Sequence, residues 1–151
     1  MKEKASVETA LRGLFARQGL AALATTEADG QPYANLMAFA ATEDLMSLMM
    51  MTGRSTRKYD NLCSDPRVAL LIDDRSHDPS DIHQAMAVTV LGRAREVPKE
   101  ERGELLALYL RKHPHLKEFA SSPSIALFEV AVRSYYLVRR FQEVTELHVQ
   151  R

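Results

Sequence analysis

The sequence predicts a mainly β fold with flanking helices, in which an antiparallel sheet closes into a barrel. Two observations support this prediction. About eight segments have the branched or continuously apolar character of strands, and most follow one another through short turns. Parallel strands need a crossover connection, and only two helical segments lie where they can supply one. We therefore expect an antiparallel sheet with helices at its ends.

The strands are predicted from apolar runs bounded by turn residues. An Asp29-Gly30 turn closes the first strand, and Gly92 marks a bulge in the fifth. Residues 74–83 are polar and predict a mobile loop. The eight predicted strands cover residues 20–26, 33–40, 45–51, 67–73, 84–97, 124–131, 134–140 and 144–149.

Helical spacing of apolar residues predicts three or four helices. The first begins after an N-cap at Ser6 and ends before Gly19, and a later one opens at Pro98. The predicted helices cover residues 7–15, the segment after a basic turn at 52–58, residues 98–111 and residues 116–120.

Composition limits the class of protein. The 151 residues suit one domain, 1–151, with 46% hydrophobic and 26% charged residues. Twenty basic and 20 acidic side chains give a formal net charge of zero. A duplex nucleic-acid binder depends on a basic surface, so we expect no nucleic-acid partner. A local phosphate site remains possible because it needs only a few cations.

Cysteine content and hydropathy indicate the expected location. Cys63 is the only cysteine, which rules out an intrachain disulfide and a zinc site built from several cysteines. We expect it to be buried as a small apolar residue. The start of the chain has no signal-like apolar segment, and no run reaches the roughly 20 apolar residues that cross a bilayer. We therefore expect a cytoplasmic protein with no membrane partner and no metal site.

The most distinctive segment is TGRSTRKYDNL at residues 52–62, which follows the third predicted strand. Three cations and two hydroxyls come together where a strand turns into a helix: Arg54, Ser55, Thr56, Arg57 and Lys58. Amides of a first helical turn lack intrahelical acceptors, and the helix dipole adds positive charge there. This arrangement suits a phosphate group. The alternative is a solvated basic turn on a helix that Ser55 caps.

The order of these segments resembles the FMN-binding split-barrel superfamily, the pyridoxamine 5′-phosphate oxidase-like proteins. The resemblance rests on the turn at 29–33, the basic segment at 52–62 and the DPRVALL segment at 65–71. Residues 87–94 and 136–141 are most similar to the haem-utilisation branch. The similarity extends from about Leu11 to Val149 and implies an antiparallel split β-barrel of the FMN-binding type.

The resemblance implies a homodimer that binds one FMN in each of two clefts between the subunits. Arg54, Ser55, Thr56 and Lys58 would hold the FMN phosphate. Residues Asn35, Leu36, Met37 and Ala38 would lie along the isoalloxazine ring, although barrel core is the alternative for Leu36. Met51 and Thr52 would border the ribityl chain. Gln84 and Arg139 are candidate contributions from the partner subunit, and Arg139 is the candidate cation for the pyrimidine edge of the ring.

Departures from the family pattern limit the predicted activity. Pyridoxamine phosphate oxidases carry an Arg-x-His pair near the C-terminus, and residues 144–151 lack it. We therefore predict an FMN-dependent oxidoreductase of unknown substrate and identify no catalytic acid or base. The alternatives are a non-catalytic flavin carrier, a haem-binding protein of the haem-utilisation type, and a barrel without a cofactor. For haem, His148 is the nearest candidate ligand, although a hydrogen-bonded strand histidine fits its flanking pattern better.

Overall fold

The computed structural model describes residues 2–151, and its core is one antiparallel sheet of eight strands. The strands are β1 Leu20–Thr26, β2 Pro32–Ala38, β3 Ala40–Ala41, β4 Ser47–Gly53, β5 Arg67–Asp73, β6 Ala87–Glu96, β7 Ile125–Arg139 and β8 Glu143–His148. They pair in the order β2-β1-β5-β6-β7-β4-β3, and β8 also pairs with β7. The sheet curls into a half-barrel with flanking helices, which confirms the predicted fold class.

Five α-helices flank the sheet: α1 Lys2–Arg17, α2 Arg57–Ser64, α3 Asp81–Gln84, α4 Gly103–Lys112 and α5 Lys117–Ser121. The prediction of Ser6 as an N-cap is wrong, because α1 already begins at Lys2. Pro98 opens a 3-10 turn, Lys99–Glu101, and α4 begins only at Gly103. Among residues 2–151, no helix has the length and apolar character needed to cross a membrane.

The two strands predicted at residues 124–131 and 134–140 form one continuous strand, β7. Its first half pairs with β4 and its second half with β8, while β6 pairs along nearly its whole length. A shift in register between Leu91 and Gly92 provides the predicted bulge. A Cβ at Gly92 would lie 2.5 Å from the carbonyl oxygen of Ala131, so only glycine allows this close approach of β6 to β7.

The barrel is split between β2 and β4, which approach each other without forming a hydrogen-bonded ladder. The predicted strand at residues 33–40 ends at Ala38, and the chain turns before the short β3. The next strand begins at Ser47, two residues later than predicted, because Leu45 takes a positive φ of 62° in the connecting turn. The split leaves an open edge beside the start of α2.

The core lies on both sides of this sheet. One cluster joins α1 to the strands, where the ring of Phe15 packs edge-on against Phe39 at 5.7 Å between centroids. A second cluster lies under α4 and includes Met49, Met51 and Tyr109. The prediction that Cys63 is buried is wrong, because it lies on the exposed side of α2.

A buried histidine fastens the end of α4 to the end of β2. Nε2 of His113 lies 2.8 Å from the carbonyl oxygen of Phe39 and acts as its donor, since a carbonyl only accepts. Burial lowers the pKa of His113 from its usual value of 6.5. The unfolded chain therefore binds a proton more readily than the folded protein as the pH falls through that value.

We expect His113 to make the protein less stable in mild acid. The free energy of unfolding should fall between about pH 7.5 and about pH 5.5, because only the unfolded state takes up the proton freely. In His113→Gln this fall should be smaller than in the wild type, as measured by thermal melting. His83→Gln is the matched control because His83 is exposed on α3, away from His113, and it should retain the full fall. Equal pH dependence in all three proteins would contradict this assignment.

Candidate functional site

The turn between β4 and α2 is held by two threonine hydroxyls. Thr56 is the N-cap of α2, and its Oγ1 accepts a hydrogen bond from the amide of Tyr59 at 3.2 Å. The same oxygen lies 2.9 Å from the carbonyl oxygen of Gly53 and 3.0 Å from Oγ1 of Thr52. The cap is therefore Thr56 and not Ser55, which is exposed beside it. This arrangement fixes the position of the helix start.

Arg57 and Lys58 occupy the first two positions of α2. Nη1 of Arg57 lies 2.7 Å from Oε1 of Glu27, and its guanidinium stacks over the ring of Tyr33. The Arg57 side chain remains 64% exposed. Lys58 is half-buried and forms no ion pair with any residue from 2 to 151. The first-turn amides also have no acceptor within the helix. The helix start thus presents amides, hydroxyls and two cations together, and Arg57 would share its guanidinium between Glu27 and a bound phosphate.

The side chain of Arg54 points to a different part of the protein. Its Nη2 lies 2.5 Å from Oε2 of Glu96, and its Nη1 donates to the carbonyl oxygen of Pro123 at 2.7 Å. The hydroxyl of Tyr59 donates to Oε1 of the same carboxylate at 2.8 Å. Arg54 would therefore have to leave Glu96 before it could bind a phosphate at the helix start.

Electrostatic interactions strengthen the contacts that Arg54 and Tyr59 make with Glu96. Burial acts to raise the pKa of Glu96, but the bonds from Tyr59 and Arg54 outweigh it and lower that pKa. The bond to Glu96 in turn raises the pKa of Tyr59 to about 12. Glu96 stays ionised and Tyr59 stays protonated, so the three side chains form a fixed connection between α2 and the end of β6.

The expected flavin-facing residues of β2 divide between its two sides. Leu36 is 67% exposed and lies on the outer side with Ala38, whereas Met37 is 5% exposed and faces the core. Asn35 lies on the same side as Met37. Its Nδ2 makes one long hydrogen bond, 3.4 Å, to the carbonyl oxygen of Leu36, and its Oδ1 is buried without a partner among residues 2–151. An unpaired buried acceptor is costly and indicates that a donor belongs beside it.

The two expected ribityl neighbours are buried within the barrel wall. Thr52 is 2% exposed and Met51 is 4% exposed. The Met51 side chain packs in the cluster under α4, away from the side on which Thr52 meets Thr56. Only the Thr52 side chain and the backbone of this strand end can therefore border a ligand at the helix start.

Gln84 and Arg139 lie at the opposite end of the sheet. Gln84 is exposed on α3 and not on the predicted strand, which begins at Ala87. Ala87 pairs with Val138, so Arg139 lies near the same end. Since a strand rises ~3.3 Å per residue, the length of β6 separates this end from Glu96 by about 30 Å. Within one chain, these two residues cannot join the cluster at the start of α2.

The Arg139 side chain is 16% exposed, and its Nε is buried without a hydrogen-bond partner within residues 2–151. The nearest carboxylate oxygen, from Glu143, lies 3.8 Å from that nitrogen, which is beyond hydrogen-bond distance. This guanidinium can therefore still bind an acceptor.

Two residues of the site were not selected from sequence. Arg57 lies in the basic turn but is not in the phosphate set that the resemblance implies. A cation at the first position of the helix is the sequence signal that could have identified it. Glu96 gave no local signal, because its partners Arg54 and Tyr59 are about 40 residues away in the chain and meet it only through the sheet.

The histidines do not form a metal centre. Among residues 2–151, no three His, Cys, Asp or Glu side chains are grouped so that they could hold a metal ion. On β8, Nδ1 of His148 lies 2.9 Å from Oγ of Ser134, and its Nε2 lies 3.6 Å from a carboxylate oxygen of Glu146. His148 is therefore a hydrogen-bonded strand histidine with an exposed outer nitrogen.

Solved structures of similar fold include a haem-binding protein from Mycobacterium smegmatis, with a TM-score of 0.80 and 18% identity over 91% of this chain. Campylobacter jejuni ChuZ has a TM-score of 0.81 and 15% identity over 95% of this chain. This chain spans 55% of the first protein and 60% of the second.

A third structure is an FAD-binding protein from Mesorhizobium loti, with a TM-score of 0.67 and 16% identity. The match covers 85% of this chain and 91% of that protein. No curated protein matches the sequence. The family described as pyridoxamine 5′-phosphate oxidase matches residues 7–139, which is most of the sequence. The chain therefore belongs to the pyridoxamine 5′-phosphate oxidase family.

Proposed function

We propose that this protein is an FMN-binding flavoprotein that acts as an oxidoreductase in the form of a homodimer. The observation that carries the proposal is the start of α2. There, a threonine cap, the free amides of Arg57 and Lys58 and the two cations of these residues follow directly on a strand at the open edge of the barrel. Membership of the pyridoxamine 5′-phosphate oxidase family supports a flavin as the ligand.

The proposed phosphate site uses the hydroxyl of Ser55 and the backbone amides and cations of Arg57 and Lys58, while the Thr56 hydroxyl holds the helix start in place. A phosphate dianion accepts several hydrogen bonds at once, and amides and ammonium groups supply them at a helix start. Thr52 contributes by fixing the Thr56 hydroxyl at 3.0 Å. Arg54 contributes indirectly, since its bond to Glu96 holds the turn in place.

The proposed ring site lies along β2, from Asn35 to Ala38. Asn35 and Met37 lie on the inner side of the strand, so only their backbone groups could border a ring on the outer side. The outer side of the strand presents the exposed side chain of Leu36, which suits an apolar ring, whereas Ala38 beside it packs against the cluster under α4. The residues present therefore fit both the charged and the planar part of FMN.

The outer face of the sheet supports the proposed dimer. Ala22 pairs with Leu36 on one side and with Leu71 on the other, so the three lie in one row. Leu36 is 67% exposed and Leu71 is 44% exposed, which is unusual for large apolar side chains on neighbouring strands. A second copy packed on this face would bury them. It would also allow the partner's Gln84 and Arg139 to approach the flavin.

When bound, FMN would supply the redox chemistry by taking up and releasing two electrons. The protein would hold the phosphate, orient the ring along β2 and exclude water between the subunits. In the partner subunit, Arg139 would hold positive charge beside the ring and so favour its reduced, anionic form. The chain presents no side chain that we assign as a catalytic acid or base.

Absorbance spectroscopy of the purified protein tests this proposal. After addition of FMN and gel filtration, we expect flavin bands to elute with the protein and to bleach on addition of a reduced nicotinamide. Retained flavin that no donor reduces would support a carrier and contradict the oxidoreductase. A protein that retains no flavin would contradict the whole proposal.

Haem binding is the second candidate function. The similarity in fold to the haem-binding protein favours it. The exposed Nε2 of His148 also favours it, because a histidine that binds haem iron needs an accessible ring nitrogen. Haemin added to the protein should then give a Soret band that His148→Ala abolishes. A spectrum unchanged by this substitution would exclude His148 as the ligand.

A further inference from the structure

A cavity of about 630 Å³ lies between the start of α4 and the segment that leads into β7. Its apolar wall is formed by Leu106 of α4, Ala120 of α5 and Ile125 at the beginning of β7. Gly103 also lines the cavity, and a Cβ placed there would meet no atom within 4 Å. The volume falls in the range of small-molecule sites.

The cavity is strongly basic, although the chain as a whole has no net charge. Arg54, Lys99 and Arg102 line it, and no Asp or Glu residue does. The carboxylate of Glu96 binds Arg54 and the hydroxyl of Tyr59, and its charge also acts on Arg102. Lys99 and Arg102 are thus two cations of the lining that no carboxylate among residues 2–151 binds directly.

The Arg102 guanidinium is only partly hydrogen-bonded within residues 2–151. Its Nε is buried without an acceptor among residues 2–151, and its Nη2 makes one long bond, 3.3 Å, to the carbonyl oxygen of Ile125. Lys99 is exposed and forms no ion pair within the same residues. A buried guanidinium nitrogen without an acceptor is costly, and a bound oxyanion would supply the missing acceptor.

Serine hydroxyls complete the lining. Ser121 and Ser122 lie at the end of α5 beside Pro123. The Ser122 hydroxyl is 2.9 Å from the hydroxyl of Ser124 and can turn to donate to a ligand. The cavity thus combines two available cations, hydroxyl donors and an apolar wall.

We propose that this cavity binds a small organic anion, whose phosphate or carboxylate group contacts Arg102 and Lys99 and whose apolar body lies against Leu106, Ala120 and Ile125. This site is separate from the proposed flavin phosphate site. The two are divided by Arg54 and Glu96, and the cations at the start of α2 do not line the cavity.

Titration with three probes tests the proposal: phenyl phosphate, benzoate and inorganic phosphate. Amide chemical shifts of Gly103, Ser121 and Ser122 report on the cavity. We expect phenyl phosphate or benzoate to shift these amides and to bind more tightly than inorganic phosphate, because only the organic probes reach the apolar wall. The tighter of the two organic probes identifies the anionic group.

Substitutions then locate the binding. The double substitution of Lys99→Ala with Arg102→Ala should lower the affinity for the tighter-binding organic probe at least about tenfold. The single substitution Lys99→Glu should by itself weaken binding of the same probe. The fold should stay intact because Lys99 is exposed. Lys117→Ala and Arg111→Ala are matched controls outside the cavity and should stay within about twofold. Arg57→Ala with Lys58→Ala should also leave this binding unchanged.

Three results would overturn the proposal. The first is the absence of any shift at these amides with all three probes. The second is unchanged affinity in Lys99→Glu and in the double variant. The third is loss of probe binding in Arg57→Ala with Lys58→Ala, which would move the anion to the helix start.

Discussion

Replacing Arg57 and Lys58 together by alanine should weaken FMN binding about 100-fold. Each cation is expected to make a charge-assisted hydrogen bond to the phosphate, and such bonds contribute ~1.5–3 kcal/mol. The loss of both therefore amounts to a factor of about 10² or more in the dissociation constant. Both side chains are on the helix surface or half-buried, so the fold should survive. Flavin fluorescence quenching measures the affinity.

Arg54→Ala is the informative comparison for this pair. Because the Arg54 side chain binds Glu96 and two carbonyl oxygens, its removal should lower the melting temperature more than it lowers FMN affinity. Arg67→Ala is the neutral control, since Arg67 is exposed and pairs only with Asp65. If Arg54→Ala loses FMN while Arg57→Ala with Lys58→Ala retains it, the phosphate lies on the Arg54 side of the turn.

Placing aspartate at Leu36 and Leu71 should convert the proposed dimer into a 17.0 kDa monomer. The two leucines flank Ala22 on the exposed sheet face, and burying two unpaired carboxylates there would cost several kcal/mol. We therefore expect the dissociation constant of the dimer to rise at least about 1,000-fold. Light scattering on a sizing column measures the mass directly.

The same variant should also lose FMN, because the proposed cleft needs both subunits. Phe119→Asp is the matched control, since Phe119 is 43% exposed but lies on α5 and not on the sheet face. It should remain dimeric and retain flavin. A wild-type protein that is already monomeric would contradict the proposed interface, as would a Leu36 and Leu71 variant that remains dimeric.

Sequence patterns identified most strands because strand residues here are apolar and the turns are marked by glycine, proline and aspartate. They divided β7 in two because Arg133 and Ser134 interrupt the apolar run, whereas β6 pairs across this interruption and keeps the strand continuous. Similarly, the prediction that Gln84 lies on a strand is wrong. Asp81 accepts hydrogen bonds from the amides of residues 76 and 77 and shapes the turn before α3, so that Gln84 lies on that helix.

The strand-to-helix turn between Gly53 and Arg57 was predictable from the sequence, but the directions of its side chains were not. Arg54, Arg57 and Lys58 are equivalent cations in the sequence, and only the sheet brings Glu96 to Arg54 and leaves Lys58 unpaired. In the same way, the alternation along β2 predicts which residues share a side, while no pattern in the sequence marks the unpaired Oδ1 of Asn35.

The most direct test of the proposed flavin site is to compare the affinity of the wild-type protein for FMN and for riboflavin. The two ligands differ only in the phosphate that the start of α2 is proposed to hold. We predict that FMN binds at least about 100-fold more tightly, and that Arg57→Ala with Lys58→Ala removes most of this difference. Equal affinity for the two ligands, or binding of neither, would contradict the assignment of α2 as the phosphate site.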